Sequence, residues 1–173
     1  LEQSDRIRGV HTSNLTIQGF SLSDIGQYSV ELTYQGNSYV SAIRDIRMQC
    51  RLNVQTVPES IQGMVITPDK PLYASNEKIT IEAPIVKGED FIGWAGASTE
   101  KSRLIKLKMD SSKSVTALYG HYNASENIGV EGETSLIGYN FEGEAEYQWR
   151  LNGKALEQSD RIRGVHTSNL TIQ

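Results

Sequence analysis

Cysteine is almost missing from this chain: Cys50 stands alone among 173 residues, so no disulfide can close within it. A secreted eukaryotic module of this kind is expected to carry bridges. Their absence points to a prokaryotic or otherwise disulfide-independent exported protein. Long apolar runs are also lacking. None approaches the roughly 18 residues a membrane helix needs, so direct membrane insertion of this segment is not expected. No leader peptide is visible, and none would be in an internal window of a longer chain. Basic patches are absent as well. A net charge of −4 gives no electrostatic footprint for nucleic acid. There is no Cys-x-x-Cys, phosphate-cradling glycine loop or serine-nucleophile elbow. Helix signals are nearly absent.

What is present is a duplication. Leu1 to Gln18 reads LEQSDRIRGVHTSNLTIQ, and Leu156 to Gln173 reads the same without a mismatch, an offset of 155 residues. Self-similarity at a fixed period is the signature of a repeat architecture. The expectation is one period of a tandem array, cut inside a motif and continued slightly past the start of the next copy. Removing the duplicate leaves the charge at −4, so each copy in an array would repel its neighbours mildly.

The fold expected is all-β. Short alternating runs recur about every 8–12 residues, with Gly, Asn and Asp between them. Ile79–Ala83, Ile105–Met109 and Val115–Tyr119 each alternate apolar with polar or small residues. Asn152-Gly153, between Trp149–Leu151 and Lys154–Leu156, has the favoured chemistry of a two-residue hairpin turn. Gln35-Gly36-Asn37 separates Val30–Tyr34 from Ser38–Ala42.

Residues 122–173, if followed by 19–49, read as one continuous module that resembles an immunoglobulin-like domain of the intermediate set. Trp149 is similar to the core tryptophan of strand C, and Asn169–Ile172 (with Asn14–Ile17) to strand E. Asp24-Ile25-Gly26-Gln27-Tyr28-Ser29-Val30 resembles the tyrosine-corner pattern. There the Tyr hydroxyl ties back to nearby backbone and the Asp and Gly shape the turn into strand F. The disulfide is where it departs. Val30 stands at the second cysteine's position and Gly138 near the first, so apolar packing around Trp149 has to replace a bridge worth roughly 2–5 kcal/mol.

Residues 50–121 resemble a divergent internalin-type B-repeat of bacterial surface proteins. The specific parts are Phe91-Ile92-Gly93-Trp94-Ala95-Gly96 and the closing stretch Met109-Asp110-Ser111-Ser112-Lys113-Ser114-Val115-Thr116-Ala117. Asn76 stands where the family usually has Gly, which implies a left-handed Asn in that turn. The resemblance implies a small β-rich structural or adhesive module with no catalysis. The expected division is therefore 1–49, 50–121 and 122–173: half an Ig-like domain, a whole B-repeat-like domain, and half of the next Ig-like domain.

Between the first two, Ile46, Met48, Cys50, Leu52 and Val54 alternate with Arg47, Gln49, Arg51 and Asn53. This predicts a nearly continuous strand across the boundary, because a flexible linker would be rich in Gly, Ser or Pro. Gly120–Ser125 makes the second junction short too.

No catalytic, cofactor or metal residue is expected. His121, and His11 with its copy His166, read as solvated loop residues far from any metal-ligand spacing. Cys50 reads as a small buried hydrophobe, the alternative being a reactive thiol. Asp90, Glu89, Asp110 and the pair Glu131 and Glu133 lack the Asp-x-Asp-x-Asp spacing of a calcium loop. Asn14-Leu15-Thr16 and Asn123-Ala124-Ser125 fit the glycosylation pattern, and the bacterial reading expects them unmodified. A Lys–Asn crosslink would suit a load-bearing domain. The residues expected to matter are structural: Asp24, Gly26, Tyr28, Val30, Phe91, Trp94, Met109 and Trp149.

The function this implies is a repeat unit of a large exported bacterial surface protein or extracellular filament, acting as a stiff stalk. Its partners would be other copies of itself. The alternative is an adhesin whose Ig-like loops bind a host or neighbouring-cell ligand. A third reading is a circular permutant, in which 19–49 folds back onto 122–173 and Tyr28 shares a core with Trp149.

Overall fold

The computed structural model describes residues 1–123 and 131–173. It is nearly all β. Its one helical turn among the described residues is the 3₁₀ segment Leu22–Asp24. The chain divides into two compact units. The first comprises 1–52, 70–79 and 108–113, and the second 53–69, 80–107 and 114–173. The stretch 50–121, expected as one module, contributes to both. Tyr28 belongs to the first unit and Trp149 to the second.

In the first unit, Ile7–Arg8 pairs antiparallel with Thr16–Ile17. Gly9 makes the turn possible: its φ is +79°, and a Cβ there would lie 2.0 Å from the Asn14 carbonyl oxygen. Thr12 closes the loop from inside, its hydroxyl bonding the carbonyls of Gly9 and Asn14. After the 3₁₀ turn the chain forms a long ribbon. Gly26–Tyr28 pairs with Arg44–Ile46, and Glu31–Tyr34 with Asn37–Val40. The turn is Gln35-Gly36 alone, both at positive φ as a type I′ hairpin requires, so Asn37 joins the strand. The outer ribbon is exposed on both faces.

The buried apolar side chains of this unit lie elsewhere. Gln49–Cys50 pairs with Tyr73–Ala74, and Cys50, Tyr73, Ile79 and Met109 are fully buried. Asn76 adopts φ +66°, the left-handed turn expected of it.

The second unit holds a sheet in which strands follow the order Asp90–Gly96, Lys113–Tyr122, Ser135–Asn140, Asn169–Ile172, Ile162–Arg163; Leu52–Val57 also pairs with Lys113–Tyr122. Period-2 patterning explains its core: Val115, Ala117 and Tyr119 point inward and are buried together with Ile81, Ile105 and Trp94. Phe91 and Gly93 flank a register shift opposite Lys113–Tyr122, and Gly93 takes φ +151°. Asn152-Gly153 turns Arg150–Leu151 onto Lys154–Ala155 with both residues at positive φ, as its sequence requires.

Two junction expectations change. The alternating run 46–54 is not one strand: it breaks into Arg44–Ile46, Gln49–Cys50 and Leu52–Val57. Burial still alternates from Arg47 to Val54, with Arg47, Gln49, Arg51 and Asn53 exposed, although Ile46 is exposed as well; but Gln49–Cys50 is held by Tyr73–Ala74, and Arg47 and Met48 join no ladder. The second junction is tighter than a short loop. Strand Lys113–Tyr122 extends into its first residues, where His121 and Tyr122 pair with Asn140 and Tyr139.

Candidate functional site

The duplicated segment gives the most informative geometry, because one sequence is seen in two settings. At both ends it folds into the same hairpin. Ile7 faces Ile17 as Ile162 faces Ile172, and Arg8 faces Thr16 as Arg163 faces Thr171. Gly164 repeats the φ of Gly9, and Thr167 repeats the hydrogen bonds of Thr12. Eighteen residues that reproduce their fold in different surroundings specify it locally.

The surroundings differ in a complementary way. In the first unit the hairpin is joined to residues 19–49 through Arg6, whose guanidinium grips the Asp24 carboxylate with two bonds, 2.9 and 2.5 Å. Asp24 is buried and also accepts from the Ser21 amide and hydroxyl. The Arg6 guanidinium, with help from Ser21, holds this carboxyl well below the usual carboxylate range. The Tyr28 hydroxyl donates to the Asp24 carbonyl at 2.7 Å, the closure expected of a tyrosine corner. Gly26 opens the strand that carries Tyr28.

In the second unit the same hairpin is joined to residues 131–155. Strand Ser135–Asn140 pairs with Asn169–Ile172. The Trp149 amide bonds the Val165 carbonyl at 2.9 Å, and its indole N–H bonds the Thr167 carbonyl at 2.7 Å. Val165 and Leu170 are buried here, at 1% and 3% exposure. Their copies Val10 and Leu15 are not, and Leu15 is 41% exposed. Arg161, the copy of Arg6, is exposed; it donates to the Gln173 carbonyl at 2.8 Å and has no ion pair with a described residue.

Both units leave apolar side chains exposed. In the second unit a groove of about 820 Å³ is lined by Tyr122, Ile137, Trp149, Leu156, Leu170 and Ile172. Trp149, expected at the centre of a core, is only half-buried along this groove. In the first unit Val30 is 51% exposed, and Leu32, Tyr34, Tyr39 and Val40 are exposed with it. Gly138 is buried, but a Cβ there would lie 2.0 Å from the Asn123 amide nitrogen, so polar side chains fill the place expected for a core cysteine.

The other expected residues are core. Trp94 is buried and its indole donates to the Ser102 carbonyl. Phe91 meets Trp94 and Tyr119 edge to face, with centroids 5.7 and 5.4 Å apart. Tyr119 donates to the Pro84 carbonyl at 2.8 Å, and burial pushes its phenol up. Met109 is fully buried, and its carbonyl accepts from the Cys50 thiol. Burial pushes that thiol up as well.

His121 is not a solvated loop residue. It sits on a strand, partly buried, with Nδ1 against Glu89 at 3.2–3.3 Å and Nε2 facing the Asn140 amide at 3.2 Å. Asp110 is engaged by Lys113. No group of three or more His, Cys, Asp or Glu side chains capable of holding a metal occurs among the described residues. The triplet at Asn123 runs into residues outside the described ones. Sequence reasoning missed two relationships, Arg6 with Asp24 and His121 with Glu89. A signal for the first was available: an Arg inside the duplicated segment, and an Asp in the corner motif.

No protein-family model, curated protein or solved structure matches the chain.

Proposed function

We infer that this chain is a structural unit of a tandem array in a large exported bacterial surface protein or filament, where it extends a load-bearing stalk. The observation that carries this reading is the duplicated hairpin. It recurs at an offset of 155 residues, makes the same strand pairings at both places, and is attached to a different stretch of chain at each. A segment that must join the half before it to the half after it would be used in this way.

Two further features favour it. Strand Lys113–Tyr122 carries the chain in a paired conformation as far as Tyr122, at the start of the second junction, which suits a stalk that resists bending. Tyr28 and Trp149 belong to different compact units, whereas the permutant reading puts them in one core. The bacterial and extracellular parts of the reading rest on the resemblance of residues 50–121 to surface-protein B-repeats. Alternation of unlike domains would also lessen strand exchange between neighbouring identical ones.

The test is the reading frame from which the chain comes, together with solution scattering of two consecutive periods. Successive copies at 155-residue spacing, with a maximum dimension that grows in proportion to copy number, are expected. A frame holding no further copy would overturn the array.

A further inference from the structure

We propose that the groove beside Trp149 is the seat for residues 19–49 of the succeeding copy, whose Asp24 carboxylate is held by Arg161. The proposal rests on the array reading and names the partner that the second unit's open face takes.

The argument is one of superposition by identity. Residues 1–18 and 156–173 are the same hairpin with the same pairings, so whatever one copy binds the other can bind at the same positions. The first copy shows how residues 19–49 attach: Arg6 reaches Asp24 with two bonds, and its Nη1 also touches the Gln18 and Gly19 carbonyls. Arg161 already reaches the carbonyl of Gln173, the counterpart of Gln18, through Nε where Arg6 uses Nη1, and has no carboxylate partner among the described residues. The second copy shows what residues 131–155 use, namely the backbone of 169–172 and the side chains of Val165 and Leu170.

The two attachment sets do not overlap. Val165 and Leu170 are buried in one setting, and Arg6 is engaged in the other. A single hairpin can satisfy both at once. Doing so would bring a ribbon that leaves Val30, Leu32 and Tyr39 exposed to a groove that leaves Trp149 and Ile172 partly open. Charge agrees with shape, since an exposed guanidinium lines the groove and the incoming corner carries a carboxylate suited to it. The strand Arg150–Leu151 pairs only with Lys154–Ala155 among the described strands, so its other edge is open to an added strand.

The experiment extends the full chain past Gln173 by its own residues 19–49. Acrylamide quenching of fluorescence reports Trp149, because Trp94 is only 4% exposed. In the extended chain Trp149 should become as resistant to quenching as Trp94, and the added amides should gain protection from hydrogen exchange. Arg161→Ala should reverse part of that protection in the extended chain and leave quenching of the original chain unchanged, a difference that a general loss of folding would not produce. Arg161→Lys should restore it incompletely. If Trp149 stays as quenchable with the extension as without it, or if Arg161→Ala acts equally in both chains, the proposal is overturned. Either result leaves the array question to the reading frame, so the two ideas fail separately.

Discussion

The Tyr28 hydroxyl closes on the Asp24 carbonyl at 2.7 Å, while the Asp24 carboxylate is gripped from the other side by Arg6. One residue thus fastens the turn through its backbone and the duplicated hairpin through its side chain. Tyr28→Phe keeps the ring and removes only the first fastening. It should destabilise the first unit by about 1 kcal/mol, the net worth of one hydrogen bond. Urea unfolding followed by the amide signals of residues 19–49 would show it; an unchanged midpoint would mean the bond contributes nothing.

Acid should act on the first unit before the second. Asp24, Glu77 and Asp110 all have lowered pKa values, caused first by hydrogen bonds from Arg6, Lys70 and Lys113 respectively. All three belong to the first unit. A depressed carboxylate binds fewer protons folded than unfolded. Its stabilisation is therefore complete above the unfolded value, about 4, and is lost as pH falls through the lower folded value. Amides around Gly26 and Cys50 should lose protection below about pH 4, while those around Ala117 persist. Asp24→Asn should start from lower stability at neutral pH and show a flatter acid response. Equal acid sensitivity of both units would refute this assignment.

Alkali should separate the tyrosines. Burial raises the phenols of Tyr119 and Tyr139, so both should ionise later than a free phenol in an absorbance titration. A raised phenol contributes stability that is present below its unfolded value, about 10, and is lost as pH climbs through the folded one. Tyr119→Phe should delete one late step and cost about 1–3 kcal/mol, because the Pro84 carbonyl loses its donor.

Cys50 should resist alkylation in the native chain. It is 1% exposed, its thiol faces the Met109 carbonyl at 3.3 Å, and its pKa is raised. Thiolate is the reactive form, so iodoacetamide should label it only after unfolding. Rapid labelling at neutral pH would show that the first unit opens easily.

Gly9→Ala and Gly164→Ala are the same change at the two hairpins. In each a Cβ would meet a carbonyl oxygen at 2.0–2.1 Å while φ stays near +79°. Each should cost more than about 1 kcal/mol, but with different readouts. Gly164→Ala should raise the exposure of Trp149, which hangs on Val165 and Thr167. Gly9→Ala should leave Trp149 unaffected and loosen Arg6 from Asp24.

Local rules were legible in the sequence, and partnerships were not. Alternation located the strands around Ile79–Ile81, Ile105–Met109 and Val115–Tyr119, because burial on one face leaves a period of two. Turn chemistry located Asn152-Gly153, and the left-handed Asn76 was what the B-repeat resemblance implied. The corner at Tyr28 followed from its motif. The run 46–54 misled because alternation reports which side chains are buried and says nothing about which backbone groups are paired; Cys50 is held by Tyr73, 23 residues away. His121 was read as a loop residue because no metal-ligand spacing surrounds it, yet the strand continues through it beside Gly120, where a Cβ would lie 2.7 Å from the Asn140 carbonyl oxygen. Val30 and Trp149 were assigned to apolar core positions, whereas Val30 is 51% exposed and Trp149 only half-buried.

Strand Lys113–Tyr122 has one more consequence. It is ten residues long, or about 33 Å at the usual rise, and it holds Asp90–Gly96 along most of its length and Ser135–Asn140 at its far end. A pull along its axis meets these backbone bonds in shear, so that many must yield together. A pull across it would part them one by one. The direction in which force reaches this strand, more than the number of its bonds, decides how long the unit survives under tension.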